Sequence, residues 1–134
     1  MDNHSKIAFL ILVLLQGLHS IEEYVGKLWD VFPPANYLTG LFSEDHRTGF
    51  LIANIGIFVI GISCWFLLYS KIQSTISIFV WVFVIIEIIN GIGHPLWSIF
   101  QKSYTPGVFT APFLLITALY LAGRLRRIDN KKLT

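Results

Sequence analysis

The sequence is poor in charge. Ten Lys and Arg and eight Asp and Glu make up 13% of its 134 residues, against 54% hydrophobic residues and a mean hydropathy of +0.66. A soluble domain of this length cannot bury so much apolar surface, whereas a bilayer solvates it. Cysteine is nearly missing as well. Cys64 stands alone in an apolar run, which excludes an intrachain disulfide and leaves the redox compartment open. There is no strong excess of one charge sign, the formal net charge being +2. The basic residues of the C-terminal tail, Arg124, Arg126, Arg127, Lys131 and Lys132, are too few for a nucleic-acid surface and suit cytoplasmic lipid headgroups. The first apolar run, Ile7 to Leu15, has no small-residue cleavage site after it, because Gln16-Gly17-Leu18-His19-Ser20 follows. It is expected to be retained rather than removed as a signal peptide.

What is present is four apolar segments of spanning length in one domain covering residues 1–134. They run from about Ile7 to Lys27, Phe50 to Tyr69, Ile76 to His94 and Gly107 to Gly123. Thr105-Pro106 reads as the start of the fourth helix, and Pro112 is expected to bend it. The expected fold is all-α, an integral membrane four-helix bundle. Lys6, Lys71 and the basic tail then share one side, which places both termini in the cytoplasm. Leu28-Trp29-Asp30-Val31-Phe32 matches Leu96-Trp97-Ser98-Ile99-Phe100, and a Tyr-x-x-Gly follows each, so a 2+2 parallel pseudo-repeat is one reading. That register aligns His19 with Glu87 and Glu22 with Asn90, at one depth near the extracytoplasmic side.

Ionisable residues inside the spans carry the chemistry. His19, Glu22 and Glu23 stand at i, i+3 and i+4 of the first helix, and Glu87, Asn90 and His94 at i, i+3 and i+7 of the third, each set on one helical face. An ionisable group at the bilayer centre costs on the order of 3 kcal/mol, so these groups must face inward and compensate one another. His19, Glu22, Glu87 and His94 are the candidate metal ligands; mixed imidazole and carboxylate ligation suits Zn, Fe or Mn. Glu23, Asn90 and Tyr104 are the candidate catalytic groups. Pro95 disfavours helical geometry at His94, so the third helix is expected to end or kink there beside a polar cavity. In the plainer reading the histidines only tie helices together, Glu23 pairs with Lys27, and His4 and His46 are solvated. Glu44, Asp45 and Arg47 form a charged loop, with Arg47 on the cavity side within reach of an anionic head group. Trp29, Tyr37, Trp97 and Tyr104 form an interfacial belt.

Three ordered motifs, His19-Ser20-Ile21-Glu22-Glu23, Asn90-Gly91-Ile92-Gly93-His94 and Tyr104-Thr105-Pro106-Gly107, resemble the HxxEE, NxxxH and YxPG signatures of the HXXEE-motif membrane proteins. The resemblance covers essentially the whole chain. It implies that His19, Glu22, Glu23, Asn90, His94 and Tyr104 form a site, and it supplies no reaction.

The leading expectation is therefore a metal-dependent intramembrane enzyme, a hydrolase or an oxidoreductase, acting on a lipid or other amphipathic small molecule. A metal-free acid–base isomerase would use a His–Glu pair in an apolar pocket. A proton-coupled transporter would need a homodimer, and a structural subunit would have no chemistry to lose.

Overall fold

The computed structural model describes residues 1–133, with side chains except at 73, 74 and 129–133. Lys131 and Lys132 of the basic tail thus lie outside the described side chains. Among the described residues the chain is all helical: α1 (Asn3–Val25), α2 (Leu28–Val31), α3 (Pro33–Gly40), α4 (His46–Leu67), α5 (Gln73–Gln101) and α6 (Ala111–Leu133). Three of these helices, α1, α4 and α5, are long and apolar enough to cross a membrane. The most hydrophobic window, in α4, has a mean hydropathy of 2.3, yet only 17% of it is buried inside the protein. Its apolar surface faces outward, as a bilayer allows and water does not.

The long helices begin where a side chain satisfies their free N–H groups. Asp2 accepts from the Ser5 N–H at the start of α1, and Asp45 accepts from the Arg47 and Thr48 N–H groups at the start of α4. Asp45 is therefore a cap rather than a loop charge; the Thr48 hydroxyl bond holds its carboxyl below the usual range. Asp2 also pairs with Arg124, which ties the start of α1 to the second half of α6. The Trp65 indole N–H donates to the Lys6 carbonyl, placing the end of α4 at the same end of the molecule. Neighbouring long helices thus run antiparallel, and α1 runs parallel to α5. Phe9, Leu12 and Val13 of α1 meet Leu68, Val80 and Val84, and Leu114, Ala118 and Leu121 of α6, in one apolar core.

Three boundaries differ from the sequence reading. The helix of His94 does not end at Pro95; α5 continues to Gln101 with Pro95 inside it. The missing proline N–H and its ring cost a helix interior about 3 kcal/mol. Contacts on both sides of the proline hold the helix through it: His94 bonds the Pro106 carbonyl, and the Trp97 indole donates to the Val31 carbonyl while its ring packs edge-on against Phe32. The fourth helix starts at Ala111 rather than at Thr105-Pro106, which lie in a buried loop. Pro112 is accordingly the second residue of α6, where no intrahelical N–H bond is lost, and not a mid-helix bend. Before its charged half α6 offers only Ala111 to Gly123, roughly 20 Å of the ~30 Å hydrocarbon core. Finally, the two Leu-Trp-x-x-Phe segments are not equivalent. One forms the separate helix α2 after a left-handed Lys27, and the other is the end of α5.

Helices α2 and α3 fold over the end of the molecule where α1 stops and α4 begins. A side chain at Gly49 of α4 would lie 2.1 Å from the Thr39 carbonyl oxygen, so α3 rests directly on α4 backbone. His46 is not simply solvated. It is half-buried and bonds the Thr39 hydroxyl at 2.8 Å, securing the same contact. Gly49→Ala should therefore destabilise the protein by about 1–3 kcal/mol through overpacking. Gly56→Ala, on the same helix with open space around it, should be neutral or stabilise by up to about 1 kcal/mol. Thermal unfolding of the two variants in detergent checks this; equal shifts would contradict the contact.

Candidate metal centre

One turn of α1 carries His19 and Glu23 on the same face, and the parallel α5 brings His94 to the same height. Their ligand atoms form a nearly equilateral triangle. His19 Nε2 lies 3.3 Å from His94 Nε2 and 3.3 Å from Glu23 Oε1, and His94 Nε2 lies 3.1 Å from Glu23 Oε1. All three residues are buried, His19 completely. The imidazole rings meet edge to face, 4.7 Å between centroids. These three side chains have the geometry to hold a metal ion.

The outer hydrogen bonds assign the ring protons. Glu22 turns away from the triangle toward the loop before α6 and accepts from Tyr104 Oη (2.8 Å), the N–H of Phe109 (3.2 Å), the N–H of Thr110 (3.0 Å) and Thr110 Oγ1 (2.6 Å). With four donors around it, Glu22 is a carboxylate and cannot donate. Thr110 thus gives its proton to Glu22, and its oxygen accepts from the His19 Nδ1–H at 2.7 Å. On the other ring, His94 Nδ1 lies 2.7 Å from the Pro106 carbonyl and must be the donor. Both imidazoles therefore carry a proton on Nδ1, and as neutral rings they point a bare Nε2 lone pair at the Glu23 carboxylate. In that state three acceptors converge. A hydrogen-bond acceptor on each Nδ1–H is the usual arrangement for metal-binding histidines.

The loop makes this possible. Gly107 has φ +95°, and a Cβ there would stand 2.7 Å from the His19 ring and 2.8 Å from His94 Nδ1. Only glycine lets the backbone lie against both imidazoles.

The other candidates occupy a second tier. Glu87 is fully buried on α5, accepts from Asn90 Nδ2 at 3.3 Å, and stands near enough to Glu23 for their charges to interact. It is not one of the three converging ligands. Asn90, with Glu23 and His94, lines a cavity of about 200 Å³ that α3 and α4 close with Leu38, Thr39, Ala53 and Asn54. Tyr104 is committed to Glu22, not to this cavity. Removal from water and the Glu22 carboxylate push its phenol up to about 12. The expected Glu23–Lys27 pair gives way to the histidine contacts of Glu23. Thr110 was not singled out from the sequence, although Thr110-Ala111-Pro112 has the residue types of a helix start; the Pro106 carbonyl carries no sequence signal at all.

The family model for a protein of unknown function with an HXXEE motif matches residues 10–121. The chain belongs to the HXXEE-motif family. No curated protein and no solved structure matches it. The family's name-giving residues, His19, Glu22 and Glu23, are thus divided here between the triangle and its outer support.

The Tyr104 environment has a direct readout. In a spectrophotometric pH titration, one phenol should ionise near pH 12 and vanish in Tyr104→Phe. An unchanged high-pH step in that variant would contradict the Tyr104–Glu22 bond.

Proposed function

We propose that this HXXEE-motif protein is a metal-dependent intramembrane enzyme in which His19, Glu23 and His94 hold one divalent cation. The observation that carries the reading is the convergence of three buried potential ligand atoms at 3.1–3.3 Å. A shared proton would relieve one edge of that triangle, whereas a cation relieves all three. His19 Nε2, Glu23 Oε1 and His94 Nε2 would hold the ion, and three protein ligands would leave a coordination position for water or substrate. Two histidines and one carboxylate with an open position is the ligand set of catalytic zinc and of non-haem iron sites. The geometry thus favours Glu23 over Glu22 as the carboxylate ligand. Such an ion would polarise a substrate oxygen or lower the pKa of a bound water to about 7.

The chain's own residues have distinct parts in this reading. Glu22 and Thr110 fix the His19 ring, and the Pro106 carbonyl fixes His94. Asn90 would orient the substrate from the cavity wall, and the buried Glu87, which accepts from Asn90 Nδ2, would hold that amide in place. The cavity lies at bilayer depth beneath α2 and α3, which favours an amphipathic substrate drawn from the membrane.

The reading includes four spans with both termini cytoplasmic and the centre near the extracytoplasmic side. The buried Thr105–Gly107 loop would extend the short apolar part of α6, since irregular backbone is tolerated at that depth only against protein. Tags at the N- and C-termini should both be protease-accessible from the cytoplasmic side only; a split result would contradict this topology.

Metal analysis of the purified protein tests the centre. The wild type should retain about one Zn, Fe or Mn per chain, and His19→Ala, Glu23→Gln and His94→Ala should lose it. Glu22→Gln should weaken binding about 10–100-fold through the His19 support, and Glu87→Gln should leave the ion in place. A wild-type protein that is metal-free and takes up none of these ions would overturn the proposal.

A further inference from the structure

A cleft of about 450 Å³ runs between α1 and α4 on the outward face of the protein, separate from the cavity of the metal centre. Leu14, Leu18, Ile21, Leu51, Ile55 and Phe58 line it. A Cβ at Gly17 would meet the Phe58 ring at 3.1 Å, so the glycine sets the depth of its floor. From Leu14 to Tyr24 the cleft follows ten residue rises of α1, about 15 Å. Its volume falls within the ~300–1,000 Å³ typical of small-molecule sites.

The cleft has a polar mouth. Tyr24 lines both the cleft and a second space of about 380 Å³ bounded by Lys27, Trp29, Asp30 and Arg47. Arg47 donates from Nε to the Tyr24 hydroxyl at 2.5 Å, with its guanidinium 5.4 Å from the ring centre. That bond leaves both Nη groups for a ligand. Lys27 and Arg47 thus stand directly above a hydrocarbon-lined channel, with Asp30 and the α4 cap Asp45 balancing their charge.

We propose that this cleft and its mouth bind a membrane lipid with an anionic phosphate headgroup: the phosphate at Arg47 and Lys27, one hydrocarbon chain between α1 and α4. Charge complementarity selects the headgroup, since a guanidinium binds a phosphate by paired charge-assisted bonds. A zwitterionic lipid would fill the same cleft with a smaller gain, because its own ammonium offsets the charge of its phosphate. The site also adjoins the metal centre. Phe50 and Asn54 line both the cleft and the cavity of Glu23 and His94, and the Ser20 hydroxyl bonds Asn54 Oδ1 at 2.7 Å in the partition between them. The binding stands on its own geometry. That the bound lipid is the substrate rests on the triad being an active site.

Native mass spectrometry of the protein released from micelles containing equal phosphatidic acid and phosphatidylcholine tests the binding. Phosphatidic acid should be retained at least about tenfold over phosphatidylcholine. Arg47→Gln should abolish most of that preference and Arg47→Lys should restore part of it. Ile55→Trp, filling the cleft from an exposed position, should reduce retention of both lipids, while Arg126→Gln at the opposite end should change nothing. Glu23→Gln, which disables the metal centre, should bind the lipid as the wild type does, so a failed metal reading and a failed lipid site are told apart. Equal retention of the two lipids, or a preference that survives Arg47→Gln, would overturn the proposal.

Discussion

Everything at the functional end of this protein is organised around three lone pairs that face one another. His19 Nε2, His94 Nε2 and Glu23 Oε1 stand 3.1–3.3 Å apart in a buried setting, and the hydrogen bonds outside the triangle hold one proton of each ring on its far side. Without a positive charge this arrangement is repulsive, and in an apolar interior that repulsion is weakly screened. That α1, α5 and a loop nonetheless hold it in place is what supports the proposed cation.

The supports are spread along the chain. Helix α1 supplies two ligands because i and i+4 share a face, and α5 brings the third because it runs parallel to α1. The loop before α6 does more than connect. Its Pro106 carbonyl, Gly107 backbone and Thr110 hydroxyl each touch a histidine or its partner, and Glu22 binds the loop in return. The carboxylate accepts from the N–H groups of Phe109 and Thr110 just before α6, so one side chain orders the loop and supports His19 through Thr110. Helices α2 and α3 then cover the cavity with Leu28, Phe32, Pro34, Leu38 and Thr39 at and between them.

Much of this was legible in the sequence. Low charge and long apolar segments gave an all-helical protein with spans, and ionisable residues within them marked the site. Which glutamate joins the histidines was not legible. Relative to His19, Glu22 lies about 60° to one side of the helix and Glu23 about 40° to the other, both within one face. The choice depends on what each meets across the interface: α5 for Glu23 and the α6 loop for Glu22. The continuation of α5 through Pro95 was hidden for a similar reason, since local backbone preference argues for a break and only tertiary contacts at His94 and Trp97 oppose it. The start of α6 was misplaced because Thr105-Pro106 and Thr110-Ala111-Pro112 both have helix-start chemistry. Burial of the first against the imidazoles, invisible in one dimension, decides between them.

The central claim is that the triangle is a cation site rather than a set of hydrogen-bonded side chains. Anomalous X-ray diffraction from crystals of the wild-type protein, recorded across the zinc, iron and manganese absorption edges, tests it most directly. The account predicts one anomalous peak about 2.0–2.1 Å from His19 Nε2, His94 Nε2 and Glu23 Oε1. No peak in that position, with a hydrogen-bonded water or direct side-chain contacts in its place in crystals grown with the metal supplied, would contradict it.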